Sequence, residues 1–119
     1  MHSRLSAQCQ TCSRTLIREY QYKSKPPIIA LDVSSANAVL PDHVIHLGIN
    51  GDECQYRLKG IVYFGSGHYV TRLITPNNSV WFHDGIETGR NMVMDGTLTT
   101  CDLQSCRGKS PAVYMYVLQ

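Results

Sequence analysis

Short runs of β-branched, aromatic and aliphatic residues alternate with turn-forming residues along almost the whole chain. Runs of this length and composition are typical of strands. The sequence predicts strands at residues 15–22, 28–33, 44–49, 54–64, 69–75, 80–83 and 112–118. Pro26-Pro27 interrupts the pattern because proline cannot donate to a strand ladder, and Asn50-Gly51-Asp52 and Gly65-Ser66-Gly67 supply turns. No segment has convincing helical periodicity, so we expect a mainly β, antiparallel sheet.

Composition narrows the classes of protein that this pattern fits. The chain has 119 residues, of which 43% are hydrophobic and 17% charged, as expected of one globular unit, or part of one, and not of a disordered segment. Its net charge of +2 and lack of basic runs argue against a nucleic-acid partner. No apolar stretch approaches the roughly 18 residues of a membrane span, so no membrane partner is expected.

The cysteines indicate the compartment and a candidate metal site. Their number is five, an odd set, and the polar N-terminus lacks the apolar segment of a signal peptide. We therefore expect reduced thiols and an intracellular location. Cys9 and Cys12 have the two-residue gap that lets two thiolates bind one zinc ion, which is half a site. Cys101 and Cys106 are candidates for the other half, and two ordinary thiols are the alternative.

His68 and Asp84 are the strongest candidates for chemistry. Glycines precede His68 at the start of one predicted strand, and Asp84 closes the next. If these strands form a hairpin, the two side chains can meet, as a general base and its orienting carboxylate do in Cys-His-Asp hydrolases. A surface histidine after a hairpin turn is the alternative. His83 is a second candidate base, but neighbouring side chains of a strand face opposite ways, so it should point away from the partner of Asp84.

Four segments, in order, resemble landmarks of the ubiquitin-specific protease family. The stretch from Tyr56 to Val70 is similar to the Tyr-x-Leu-x-x-Val strand that runs into the family's histidine box, with Gly67-His68-Tyr69 at its centre. Pro26-Pro27-Ile28 resembles the family's Pro-Pro strand, and Ala112-Val113-Tyr114 resembles its closing strand. Cys9-Gln10-Thr11-Cys12 stands where the family carries the second half of a zinc ribbon. The short loop before His68 also occurs in divergent, SUMO-directed relatives.

This resemblance implies a fold and an activity. The fold would be the C-terminal, palm part of an α+β papain-like cysteine peptidase domain, with residues 1–25 a remnant of the zinc-ribbon fingers and residues 26–119 the palm strands. The activity would be hydrolysis after the C-terminal glycine of ubiquitin or a ubiquitin-like protein, SUMO included, in the cytoplasm or nucleus. His68 would be the base, Asp84 its orienting residue, Gly67 and Tyr69 substrate-binding residues, and Cys9 and Cys12 ligands of a structural zinc. Catalysis itself would need no cofactor.

The sequence departs from the family where the nucleophile belongs. No Asn-Thr-Cys motif is present, and Cys54, Cys101 and Cys106 do not begin an apparent helix that would lower a thiol pKa. The chain alone is therefore not expected to catalyse. Gly85 also stands where many members have a second acidic residue. A non-catalytic half-domain that binds ubiquitin or SUMO, and a small β scaffold that only looks similar, remain alternatives.

Overall fold

The computed structural model of the chain describes residues 2–8, 15–21, 24–34 and 40–119. The described strands are β1 (His2–Gln8), β2 (Thr15–Gln21), β3 (Ile28–Asp32), β4 (Val44–Ile49), β5 (Asp52–Gly65), β6 (His68–Ile74), β7 (Ser79–His83), β8 (Val93–Thr97) and β9 (Ser110–Leu118). β1 and β2 pair in a two-stranded sheet, and the others form a second, larger sheet. All of these pairings are antiparallel.

The long strand β5 organises the larger sheet. Its first half pairs with β4 and its second half with β6, while its other edge pairs with β9. β3 lies outside β9, and β7 and then β8 extend the sheet beyond β6. Consecutive strands β4 to β8 are therefore neighbours in space, as short connections favour.

Two-residue turns fix the register of the hairpins. Asn50 and Gly51 have φ of 51° and 86°, and Ser66 and Gly67 have φ of 53° and 72°. Positive φ at both central residues is the signature of type I′ turns, whose twist matches that of the strands they join. The second turn pairs Gly65 with His68, so it sets where β6 begins and which face His68 occupies.

The core lies on one face of the larger sheet. Inward positions on β5, β7 and β9 are almost fully buried, including Leu58, Ile61 and Val80. Buried tyrosines also tie loops to this face, since Tyr56, Tyr63 and Tyr116 donate hydrogen bonds to the carbonyls of Pro26, Leu103 and Asp42, respectively. Burial raises the pKa of Tyr63 to about 12, so its hydroxyl stays protonated and remains a donor at neutral pH.

The mainly β, antiparallel prediction is confirmed, and the described ranges contain no helix. None of their elements is therefore a helix able to span a membrane. β1 and β8 are not among the strands predicted from the sequence. The sequence of β8, Val-Met-Asp-Gly-Thr, carries two residues that are disfavoured in strands, so its conformation depends on pairing with β7.

Candidate active site

The hairpin of β6 and β7 brings His68 and Asp84 together. Thr71 pairs with His83 and Arg72 with Phe82, so Asp84 lies one residue beyond the last pair of the hairpin. Because side chains alternate along a strand, His68 lies on the same face as Arg72, and Asp84 on the same face as Phe82. Arg72 and Phe82 are paired, so His68 and Asp84 share one face of the hairpin. The Nε2 atom of His68 is 2.8 Å from Oδ1 of Asp84, which is a hydrogen-bond distance.

The surroundings of Asp84 keep it ionised. The residue is only 4% exposed. Its Oδ1 atom accepts a hydrogen bond from the backbone N–H of Ile86 at 2.9 Å. That backbone donor, followed by the hydrogen bond and charge of His68, outweighs burial and lowers the pKa of Asp84 below its ordinary value. Asp84 is therefore a carboxylate at neutral pH and acts only as an acceptor.

This carboxylate decides which nitrogen of the neutral His68 ring carries the proton. Because an ionised carboxylate only accepts, Nε2 of His68 carries the proton of their hydrogen bond. Nδ1 of the neutral ring then has a free lone pair, and it has no hydrogen-bond partner within the described ranges. The His68 side chain is one-third exposed, at 33%. The arrangement can accept a proton at Nδ1 and stabilise the imidazolium that results.

The two predicted substrate-binding residues, Gly67 and Tyr69, flank His68 along the chain. Gly67 forms the turn directly before it, with φ of 72°. Tyr69 lies on the opposite face of β6 from His68, is 61% exposed, and contacts Phe64 with a centroid separation of 4.5 Å. The structure therefore does not place Tyr69 beside the imidazole, and the substrate-binding roles of both residues stay predictions.

His83 lies on the face opposite Asp84, as the alternation of the strand predicts. Its Nε2 atom is 2.8 Å from the carbonyl oxygen of Gly89, so that nitrogen donates to the backbone. The interaction ties the segment that follows β7 back to the strand. His83 is thus a structural contact of this segment and does not share the carboxylate of Asp84.

The described cysteines are poorly placed to serve His68 as a nucleophile. Cys54 lies eleven residues before Gly65 on β5, a distance of about 35 Å along an extended strand. Cys101 lies against Gly96, which pairs with Val80 of β7. Val80 in turn pairs with the last residue of β6, at the end of the strand opposite His68. Cys106 is 1% exposed, and burial raises the pKa of its thiol. Raising a thiol pKa lowers the thiolate fraction and hence its reactivity.

The zinc prediction lies outside what the structure describes. Cys9 and Cys12 both fall between the described ranges 2–8 and 15–21. Within the described ranges, no three His, Cys, Asp or Glu side chains form a group that could hold a metal ion. Cys101 and Cys106 as the other half of the zinc site stay a prediction, because that site would include Cys9 and Cys12. The structural zinc at Cys9 and Cys12 remains a prediction.

An ionic cluster of Arg72, Asp95 and Arg107 next to the same hairpin was not predicted from the sequence. Arg72, 8% exposed, donates from Nε to Asp95 at 2.9 Å and from Nη1 to the carbonyls of Asp102 and Ser105. Arg107 also donates to Asp95 and lies 3.7 Å above the Phe82 ring. The available signal was the charge of Arg72 at an inward position between Val70 and Ile74. A buried arginine requires partners, and here they are Asp95 on β8 and two carbonyls of the loop between β8 and β9.

Comparison with known proteins identifies no family for this chain. No model of a protein family matches it. No curated protein is significantly similar to it. The resemblance to ubiquitin-specific proteases therefore rests on the residues quoted above.

Proposed function

We propose that this chain supplies the general base and the orienting carboxylate of a deubiquitinase-like cysteine peptidase. The enzyme would hydrolyse peptide or isopeptide bonds after the C-terminal glycine of ubiquitin or a ubiquitin-like protein. The chain would form the palm part of an α+β papain-like domain. The observation that supports the proposal is the 2.8 Å hydrogen bond between Nε2 of a partly exposed His68 and the buried carboxylate of Asp84.

The chemistry follows from the two ring nitrogens. A cysteine thiol placed at Nδ1 would pass its proton to the ring, and the thiolate would attack the carbonyl carbon of the terminal glycine. The imidazolium would then give the proton to the departing lysine amine, leaving a thioester that water hydrolyses with the ring again acting as base. Asp84 would keep Nε2 protonated and stabilise the positive charge throughout.

The proposal is tested with the longest native polypeptide that contains this chain. Hydrolysis of a ubiquitin or SUMO fused through its C-terminal glycine to a fluorescent amine reports the reaction. His68→Gln should lower kcat by about 100- to 10,000-fold, the range that general acid–base catalysis contributes. His46→Gln is the matched control, since His46 is an exposed histidine of β4 whose Nδ1 atom lies 3.4 Å from the carboxylate of the exposed Glu53. Equal rates for His68→Gln and wild type would refute the proposal.

A second function, binding without cleavage, is favoured by the positions of the cysteines. None of Cys54, Cys101 and Cys106 is both exposed and close to His68. The 119-residue chain would then hold a ubiquitin-like protein without hydrolysing it. Titration of the chain with ubiquitin and with SUMO, followed by amide NMR shifts, measures this directly. Saturable shifts around His68 with no hydrolysis by the longest native polypeptide support the binding module, and no shifts at millimolar concentration exclude it.

A further inference from the structure

The backbone of Asp84 lies outside both strand ladders. Pairing between β6 and β7 ends at Thr71 and His83, and pairing between β7 and β8 ends at Phe82 and Val93. The N–H and carbonyl of Asp84 therefore have no partner strand. Backbone polar groups at a buried residue need partners, because leaving them unpaired is costly.

One side chain satisfies both groups. The hydroxyl of Thr88 accepts a hydrogen bond from the backbone N–H of Asp84 at 3.1 Å and donates one to its carbonyl at 2.8 Å. The backbone N–H of Thr88 donates to the same carbonyl, also at 2.8 Å. A single threonine thus takes the place of the missing strand at the residue whose carboxylate holds the histidine.

Further hydrogen bonds hold the segment of residues 84–91 together. The N–H of Ile86 donates to the Oδ1 atom that also contacts His68, and the N–H of Asn91 donates to the carbonyl of Thr88. On the other face, His83 bonds to the carbonyl of Gly89. These bonds fold residues 84–91 into a closed turn that fixes both the backbone and the carboxylate of Asp84. Among these contacts, Thr88 is the side chain that hydrogen-bonds to the backbone of Asp84 itself.

We propose that Thr88 is a positioning residue for the His68–Asp84 pair. Its hydroxyl holds the backbone of Asp84 so that the carboxylate stays within hydrogen-bond distance of Nε2, and the base keeps Nδ1 free. The importance of this for hydrolysis rests on the function proposed above. The effect of Thr88 on the hydrogen bond of the His68 ring does not depend on that function, and it can be measured separately.

Solvent exchange of the His68 ring proton is measured in the 119-residue chain by ¹⁵N and ¹H NMR. The Nε2–H proton of His68 should give a resonance protected from solvent exchange by Asp84. Thr88→Val keeps the branched shape but removes the hydroxyl, and should speed this exchange at least tenfold. Thr88→Ser restores the hydroxyl and should remain within about twofold of wild type. Asp84→Ala gives the exchange rate of the ring without its carboxylate.

The matched control is Thr71→Val. Thr71 lies on the other face of the same hairpin, and its hydroxyl makes no hydrogen bond within the described ranges. This variant should leave Nε2–H exchange unchanged. Amide spectra of every variant report whether the sheet is intact, and Thr88→Ser supplies the comparison if Thr88→Val does not fold. With the sheet intact, the proposal would be overturned by exchange in Thr88→Val at the wild-type rate, or by exchange in Thr88→Ser as fast as in Asp84→Ala.

Hydrolysis by the longest native polypeptide separates the two proposals. Thr88→Val should lower kcat about 10- to 100-fold with little change in KM, and Thr88→Ser should recover most of the rate. If Thr88→Val accelerates ring exchange but neither it nor His68→Gln changes kcat, Thr88 positions the pair and the peptidase proposal is wrong. If His68→Gln abolishes hydrolysis while Thr88→Val leaves both exchange and kcat at wild-type values, the positioning role is wrong and the peptidase proposal stands.

Discussion

Replacing Arg72 by methionine should destabilise the fold far more than the same change at Arg107. Both guanidinium groups contact Asp95, but their surroundings differ. The side chain of Arg72 is 9% exposed and that of Arg107 is 41% exposed. Only Arg72 also donates to the carbonyls of Asp102 and Ser105, at 2.7 and 3.1 Å. These bonds attach the loop between β8 and β9 to the sheet.

The expected magnitudes follow from burial. Removing one partner of a buried ion pair costs about 3–5 kcal/mol. Asp95 keeps Arg107 in the variant, which reduces this cost, but two loop carbonyls lose their donor at about 1–3 kcal/mol each if water does not replace it. We expect about 3–5 kcal/mol for Arg72→Met. For Arg107→Met we expect about 1 kcal/mol, from a solvent-screened pair and a cation–π contact with Phe82.

Urea unfolding followed by tryptophan fluorescence measures both values. Trp81 is the single tryptophan of the chain and lies in β7, on the strand next to Arg72. Native domains are stable by only about 5–15 kcal/mol, so the Arg72→Met midpoint should fall steeply, and the slope with urea should be unchanged if unfolding stays two-state. A loss below about 1 kcal/mol for Arg72→Met, or a larger loss for Arg107→Met, would refute this account of the cluster.

Two further predictions concern acid stability and the turn before the base. Burial acts to raise the pKa of Asp95, but hydrogen bonds and charges from Arg107 and Arg72 outweigh it and lower the pKa, as contacts also do for Asp84. The unfolded chain then binds more protons than the folded chain at low pH, so the free energy of unfolding should fall as pH drops below about 4. The fall should be less steep in Asp95→Asn, which lacks this carboxylate. If the urea midpoint changed between pH 3 and pH 5 by the same amount in both proteins, this explanation would be contradicted. A Cβ would meet nothing within 4 Å at either Gly67 or Gly85, but of the two only Gly67 has a positive φ, of 72°. Gly67→Ala should therefore cost about 1 kcal/mol in urea unfolding, and Gly85→Ala less than about 0.5 kcal/mol. Equal losses would show that the backbone at Gly67 is not strained by a side chain.

The sequence by itself determined the strands that carry the candidate site. Its β-branched and aromatic runs and the Ser66-Gly67 turn are local signals, and this two-residue turn between β5 and β6 largely fixes where β6 begins. The contact of His68 with Asp84 followed from alternation along the strands, given that β6 and β7 pair in the register that joins Arg72 to Phe82. The side on which His83 lies followed for the same reason.

Only the tertiary structure decided what surrounds this pair. Thr88 could not be recognised, because its hydroxyl matters only where both ladders end at Asp84. Arg72 gave a hint by its inward position, but its partners Asp95 and the loop carbonyls are distant in sequence. β8 was missed for a related reason, since Asp95 and Gly96 disfavour a strand locally and pairing with β7 supplies the stabilisation. Local patterns thus fix where a side chain points, while partners across the sheet fix what it meets, because those contacts depend on how strands and loops pack together.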